Sequence, residues 1–407
     1  MPILHFLCDN ARWLAAGALL TFLSSFGQTF FISIFAGEIR QEFGLSHGQW
    51  GGIYTLGTAA SALVMVWAGG LTDRFRVRSL GGFVLGFLML ACVFMAVNNA
   101  VWLLPVVIFA LRFGGQGMTS HIAVVAMSRW FIGTRGKALS VATLGFAIGE
   151  ALLPLIFVAL MLIYDWRLLW LGAGAIAVVG VPVLLLLLRR ERTPQTMSQS
   201  SQALGMGSRH WTRNQALTHF LFWFMIPALL GPSAFNTAFF FHQVHFADVK
   251  QMAHVELVAL FPFYTAVSIG AMVFSGWALD KLGTPRLMPF YQLPMVAAFL
   301  VFAQADSQVV MAAGLLFLAL STGANTTLPN AFWAEFYGTG HIGAIKAMAA
   351  AIMVLGSAIG PGLTGLAIDL GMGIETQYMA VAAYFILASV MMALGIARAR
   401  SLLPGTP

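Results

Sequence analysis

Two ionisable side chains stand where almost nothing else in this sequence carries charge. Arg112 lies in FALRFGGQGMTSHIAV, and Glu150 closes LGFAIGE. Each sits about a dozen residues inside an apolar run, so about 16–18 Å from its near end at helical rise. Ions at that depth in a membrane segment are costly and mark solute or proton pathways. The two runs are consecutive, so antiparallel helices bring both charges to matching depth. The spacing predicts that Arg112 and Glu150 pair, each relieving the other's desolvation. Protonation of Glu150 would then couple movement of a solute to a proton gradient. The plain alternative is a structural ion pair that never meets a solute.

Other polar side chains in apolar runs are candidates for lining a cleft: Gln28, Tyr54, Gln116, Asn236, Tyr264, Tyr291, Gln292, Asn325 and Asn330. Phe26, Phe30, Phe31, Phe235, Phe239, Phe240, Phe241 and Trp333 stand among them. An apolar cleft with a few placed polar groups suits a flat or amphipathic solute. The alternative is packing, since amides join membrane helices and Phe fills them. His121 is nine residues after Arg112 and reads as a proton relay or as a hydrogen-bonded packing residue. His242, His245 and His254 have a spacing that allows a metal, but only Asp248 and Glu256 stand near, so an exposed surface cluster is expected. Cys8 and Cys92 give neither a disulfide framework nor a metal spacing. No cofactor or metal is expected.

The elements that position these groups follow from composition. Apolar residues make up 59% of the chain and charged ones 9%, against about 25% charged in a soluble domain. Lipid must therefore cover most of the surface. A bilayer core needs about 20 apolar residues per helix. Twelve such runs are read, at 13–36, 50–72, 79–97, 101–127, 138–162, 167–188, 216–241, 256–279, 287–304, 309–333, 344–368 and 377–397. The long polar gap, 190–215, is rich in Ser, Gln and Gly and reads as a linker. It divides a six-helix unit at 1–189 from another at 216–407. Seventeen of the 21 Lys and Arg residues fall at the termini or in one alternate set of gaps. Only Arg40, Arg167 and Lys250 fall in the other set, and Arg112 lies within a run. The positive-inside rule then predicts that both termini and the linker face the cytoplasm. The formal charge of +7 is accounted for by these gaps rather than by nucleic acid.

The halves repeat each other. GGLTDRFRVR at 69–78 returns as GWALDKLGTPR at 276–286, placing Asp73 and Asp280 207 residues apart. FIGT at 131–134 returns as FYGT at 336–339, and LGFAIG at 144–149 as LGSAIG at 355–360. Three ordered matches near one offset mark an internal duplication, a feature of transporters. In the third match Pro361 stands where the first half has Glu150.

On these residues the chain resembles the major facilitator superfamily over essentially its whole length. The family's loop between helices two and three runs Gly-x-Leu-Ala-Asp-Arg-x-Gly-Arg-Lys. Gly69, Leu71, Asp73, Arg74 and Arg78 match it. Thr72 replaces the Ala, and Arg76 stands where the family has its second Gly, which the later copy keeps as Gly283. The resemblance implies an all-α membrane protein of two pseudo-symmetric six-helix bundles, mostly monomeric in this family. It also implies a gating role for Gly69, Asp73, Arg74, Arg78, Gly276, Asp280 and Lys281. An acid near a helix end among bases makes charge-assisted bonds that one geometry satisfies and another does not. The stretches EIRQEFGLSHGQW and SRWFIGTRGKALSVATLGFAIG are distantly similar to the monocarboxylate and oxalate–formate branch. That branch carries an Arg in helix eight, whereas 256–279 contain no base, so its specificity is not carried over.

The sequence thus predicts a proton-coupled secondary transporter in a bacterial-type inner membrane. It would move a small organic solute, heteroaromatic and vitamin-like or an organic anion held by Arg112. Multidrug efflux on the same fold is the rival within the class. A non-transporting sensor would be expected to carry a long cytoplasmic extension. A membrane-embedded enzyme would need a nucleophile and base, or a metal set, in one cavity. The chain has no GxxxxGK[ST] loop for ATP.

Overall fold

The computed structural model describes residues 2–131, 134–190, 204–338 and 341–403. Among these, every membrane-length element is an α-helix, and the only bridge pairing is an isolated one between Gly205 and Arg209. This is what a lipid-facing backbone requires, since helices satisfy their own N–H and C=O groups.

The helices are numbered here in chain order. A bent pair, His5–Gly27 and Thr29–Phe43, forms α1, with a 47° angle at its break. Then come α2 (His47–Ala68), α3 (Val77–Val97), α4 (Val101–Trp130), α5 (Arg135–Met161) and α6 (Trp166–Leu187). The second half holds α7 (Phe220–Phe241), α8 (Phe261–Leu282), α9 (Leu293–Gln304), α10 (Gln308–Tyr337), α11 (Ile342–Asp369) and α12 (Ile374–Ala399). Nine described helices are long and apolar enough to cross a bilayer, and the bent pair adds a tenth. His47–Ala68 and the short Leu293–Gln304 occupy the two remaining apolar runs.

Local chemistry sets the ends. Ser46 and Gln49 form a reciprocal capping box at the start of α2. Asp165 caps α6 by accepting from Arg167 N at 2.8 Å. Gly283 follows α8 at φ 73°, a left-handed position that a Cβ disfavours. Its counterpart Arg76 has φ −67° and ψ 143°. The first loop therefore turns without a glycine, which accounts for the departure from the family motif.

The chain divides into two units, Met1–Ser198 with Phe240–Val244, and Gln199–Phe239 with His245–Pro407. In the first, Phe31 packs between Phe157 (4.8 Å) and Trp170 (5.3 Å), joining α1 to α5 and α6. In the second, Phe222, Phe332, Trp333, Phe336 and Tyr337 make a buried cluster.

The expected linker, 190–215, is described only in part. Residues 191–203 lie outside the described residues, but the stretch that follows is built into the second unit. Met206 and Trp211 are buried there. Trp211 donates its main-chain N–H to Tyr337 O (3.0 Å) and its indole N–H to Met206 O (3.0 Å).

Candidate functional site

The site in the first unit begins with a fault in α1. Gln28 has ψ 154°, so the helix stops at Gly27 and restarts at Thr29. The break leaves Gly27 O unserved by a following helical turn. Beside it, Arg112–Thr119 of α4 form a π-helical segment, a geometry frequent at functional sites. Gly27 and Gly115 let the two backbones meet: a Cβ on Gly115 would lie 2.5 Å from Gly27 Cα.

Arg112 reaches into this junction. Its side chain is 1% exposed. Nη1 donates to Gly27 O and to Thr29 Oγ1, both at 3.2 Å. Thr29 Oγ1 shares a hydrogen bond with Tyr54 Oη, and the guanidinium carbon lies 5.4 Å from the Tyr54 ring centre. Arg112 Nε is buried without a hydrogen-bond partner. Among the described residues no carboxylate lies within ion-pair distance of Arg112. The expected pair with Glu150 is therefore not formed. Glu150 lies on α5, partly exposed. Matching depth on successive helices fixes height, not the direction a side chain takes around its helix, and α1 supplies the neighbours of Arg112.

Tyr54 is fully buried and also touches Phe241, ring centres 4.5 Å apart. Phe241 stacks on Trp50 at 5.6 Å. Gln243 donates to Phe30 O (3.3 Å) and Ser33 Oγ (2.7 Å). These contacts are why Phe240–Val244 group with the first unit. Gln28 is buried beside the junction, and Gln116 is exposed.

In the second unit the polar residues sort into two kinds. Pro232 opens a π-helical turn in α7 and has no N–H to return to residues 227 and 228. Side chains take over: Gln292 Nε2 donates to Ala228 O at 2.6 Å, and Tyr384 Oη to Pro227 O at 2.8 Å. Gln292 also donates to Tyr291 Oη (2.8 Å), which donates to Asn325 Oδ1 (3.2 Å). Gln292 and Tyr291 are thus backbone supports rather than cleft-lining groups. Asn325 is only partly buried, Tyr264 Oη donates to Thr322 Oγ1 at 3.3 Å, and Asn236 Oδ1 lacks a partner.

Seven of the eight aromatic residues singled out from sequence are buried. Phe26, Phe31, Phe239, Phe241 and Trp333 are at most 2% exposed and pack on one another or on neighbouring helices. The histidines are not an exposed cluster either. His242 is buried, and His245 and His254 are partly buried. No group of three or more metal-binding side chains occurs among the described residues.

The profile of the Major Facilitator Superfamily matches residues 17–361. The chain belongs to this superfamily. A bacterial homologue of the human lysosomal transporter Spinster, inward-facing and unoccupied, superposes with TM-score 0.75 at 15% identity, over 98% of this chain and 99% of that one. A point mutant of the nucleoside transporter NupG does so with TM-score 0.70 at 13% identity, over 95% and 99%. At such identities the likeness is one of fold. No curated protein sequence matches the chain. This is a membrane transporter fold, and its chemistry must be read from its own residues.

The superfamily's loop motif is anchored on α4. His121, in its Nε2–H tautomer, donates to Gly69 O at 3.3 Å, Thr72 Oγ1 to the same oxygen at 2.8 Å, and Arg129 Nη1 to Thr72 O at 2.7 Å. His121 is thus hydrogen-bonded to the C-terminal end of α2. Arg74, Arg78, Asp280 and Lys281 are exposed or partly so and Gly276 is partly buried, while the Asp73 side chain lies outside the described residues. Lys281 Nζ lies 4.4 Å over the Trp277 ring. Glu335, not singled out from sequence, accepts from Thr284 N at 3.3 Å and from Thr284 Oγ1 at 2.5 Å. It fixes the second loop as Arg129 and His121 fix the first.

Proposed function

We propose that this chain is a proton-coupled secondary transporter that moves a small organic anion by alternating access. The observation that carries the reading is Arg112. A guanidinium buried at membrane depth is costly, and this one has a cation–π face, one carbonyl and one hydroxyl but no carboxylate. Nη1 is occupied. Nε and Nη2 form the side-on edge of the guanidinium, which takes a carboxylate through two parallel hydrogen bonds. A solute carboxylate is the group this edge lacks. The break in α1 adds the N-terminal end of Thr29–Phe43, which favours negative charge.

Glu150 is assigned the proton. It occupies the position of Pro361 in the repeat and lies on α5, whose Gly149 packs against Ser25 of α1. The charge distribution along the chain supports an inner-membrane orientation with both termini in the cytoplasm. The loop residues Asp73, Arg74, Arg78, Asp280 and Lys281 are assigned to gating.

The test is thermal stabilisation of the purified protein by small carboxylates and their amides, followed by proton flux in proteoliposomes with the stabilising acid. Stabilisation by acids and not by amides supports the reading. Equal stabilisation by both, or acid transport without proton movement, contradicts it.

A further inference from the structure

Each unit carries the same three-way contact, with acid and base exchanged. In the first, Arg167 near the start of α6 bonds Glu42 at the end of α1 through Nε at 3.1 Å and through Nη2. Its Nη1 donates to Ala96 O in the last turn of α3 at 2.6 Å. Trp166 Nε1 adds a bond to Glu42 Oε2 at 2.8 Å. In the second, Lys250, in the segment after α7, bonds Glu375 near the start of α12 at 2.9 Å. Its Nζ donates to Ala303 O in the last turn of α9 at 2.8 Å.

These positions correspond through the internal repeat. Glu42 and Lys250 are 208 residues apart, Arg167 and Glu375 are 208 apart, and Ala96 and Ala303 are 207 apart. The acid has moved from the α1 position to the α12 position, and the cation from the α6 position to the α7 position. In both units the cation satisfies a carbonyl at a helix C-terminus, where positive charge is favoured. The α6 start does not select its own charge: Arg167 stands at the positive end of the helix, and Asp165 offsets it. Polarity is therefore free to differ, while the join itself is kept.

We propose that Glu42–Arg167–Ala96 and Lys250–Glu375–Ala303 are two equivalent positioning staples, one per unit. Each fastens the α1 or α7 end to its own unit and stays closed while the transporter changes state. Through α1 the first staple holds the break at Gln28 and hence the seat of Arg112. The second unit is an internal precedent for the charge-swapped form of the first.

The test uses Glu42→Lys, Arg167→Glu and the double variant, with Lys250→Glu, Glu375→Lys and their double as the parallel set. Each single variant is expected to lower the thermal midpoint by about 3 °C or more. Glu42→Lys is also expected to speed hydrogen exchange of residues 24–32 by about fivefold. The doubles should recover both values. In a Cys8→Ser background, Glu42→Cys with Arg167→Cys is bridged by a short bis-maleimide, which adds one thiol at each end. Bridging should return exchange at 24–32 to within about twofold of the wild type. Singles that match the wild type, doubles no better than the worse single, or bridging that slows exchange to about tenfold below the wild type would each overturn the proposal. The last would mean that the contact must open.

Discussion

The guanidinium of Arg112 faces the ring of Tyr54 at 5.4 Å, and Tyr54 reaches the same Thr29 hydroxyl that Arg112 uses. Three helices thus converge on one cation that has no counter-ion among the described residues. The break in α1, the π-helical segment of α4 and the Gly27–Gly115 contact are what bring them together.

Replacing Arg112 separates function from stability. Arg112→Met removes an uncompensated buried charge, at the cost of two hydrogen bonds worth about 1 kcal/mol each. The thermal midpoint is expected to stay level or rise, while uptake of a carboxylate solute falls about 100-fold or more. A variant that unfolds readily yet transports when folded would show a structural role instead.

Gly115→Ala should be among the most damaging small substitutions in the first unit. Its Cβ would meet Gly27 Cα at 2.5 Å and Gly27 N at 2.6 Å, both backbone atoms. Overpacking of this kind costs about 1–3 kcal/mol. Gly86→Ala, where nothing lies within 4 Å, serves as the control in a comparison of thermal midpoints.

Gln292 and Pro232 form a compensating pair. Gln292→Leu strips the donor from Ala228 O and should cost about 1–3 kcal/mol. Pro232→Ala returns an N–H to the helix and should reduce that loss in the double variant. A double-mutant cycle in the thermal midpoint reads the coupling directly. Strict additivity would remove the claim that Gln292 substitutes for the missing amide.

His219 makes the start of α7 acid-sensitive. Its Nδ1 accepts from Leu221 N at 3.3 Å, which requires a neutral ring. Burial, with Arg209 adding to it, holds its pKa below the ordinary value. The unfolded chain therefore binds the proton more readily, so this contribution is present above the unfolded pKa of about 6.5 and is lost as pH falls below it. Hydrogen exchange over 204–222 is expected to quicken between about pH 6.5 and 5. His219→Asn keeps a capping oxygen and should flatten the dependence.

Glu150→Gln tests coupling. The variant should exchange solute across proteoliposomes yet lose about tenfold or more of the accumulation driven by a pH gradient. Retained gradient-driven accumulation would place the proton elsewhere.

The repeated loop, the helical runs and the lone cation of α4 were legible in the sequence, because charge is scarce in a lipid-covered chain and its exceptions stand out. Its partners were not. Depth singles out Glu150 but leaves azimuth open, and Gly27 and Thr29 are neighbours of Arg112 through a break that no proline announces. The buried role of Gln292 follows from Pro232, seen only when the carbonyls of α7 are followed to their donors. The two staples were within reach, since Glu42, Lys250, Arg167 and Glu375 share one offset. Their signs are opposite, so the two sets match in position and not in residue type.

The most direct measurement is binding of the acid that stabilises the protein most, and of its amide, to the purified wild type and to Arg112→Gln, by calorimetry. The account predicts that the wild type prefers the acid by about 10-fold or more and that Arg112→Gln loses that preference. Equal affinity for acid and amide in the wild type, or an acid preference that survives in Arg112→Gln, would contradict it.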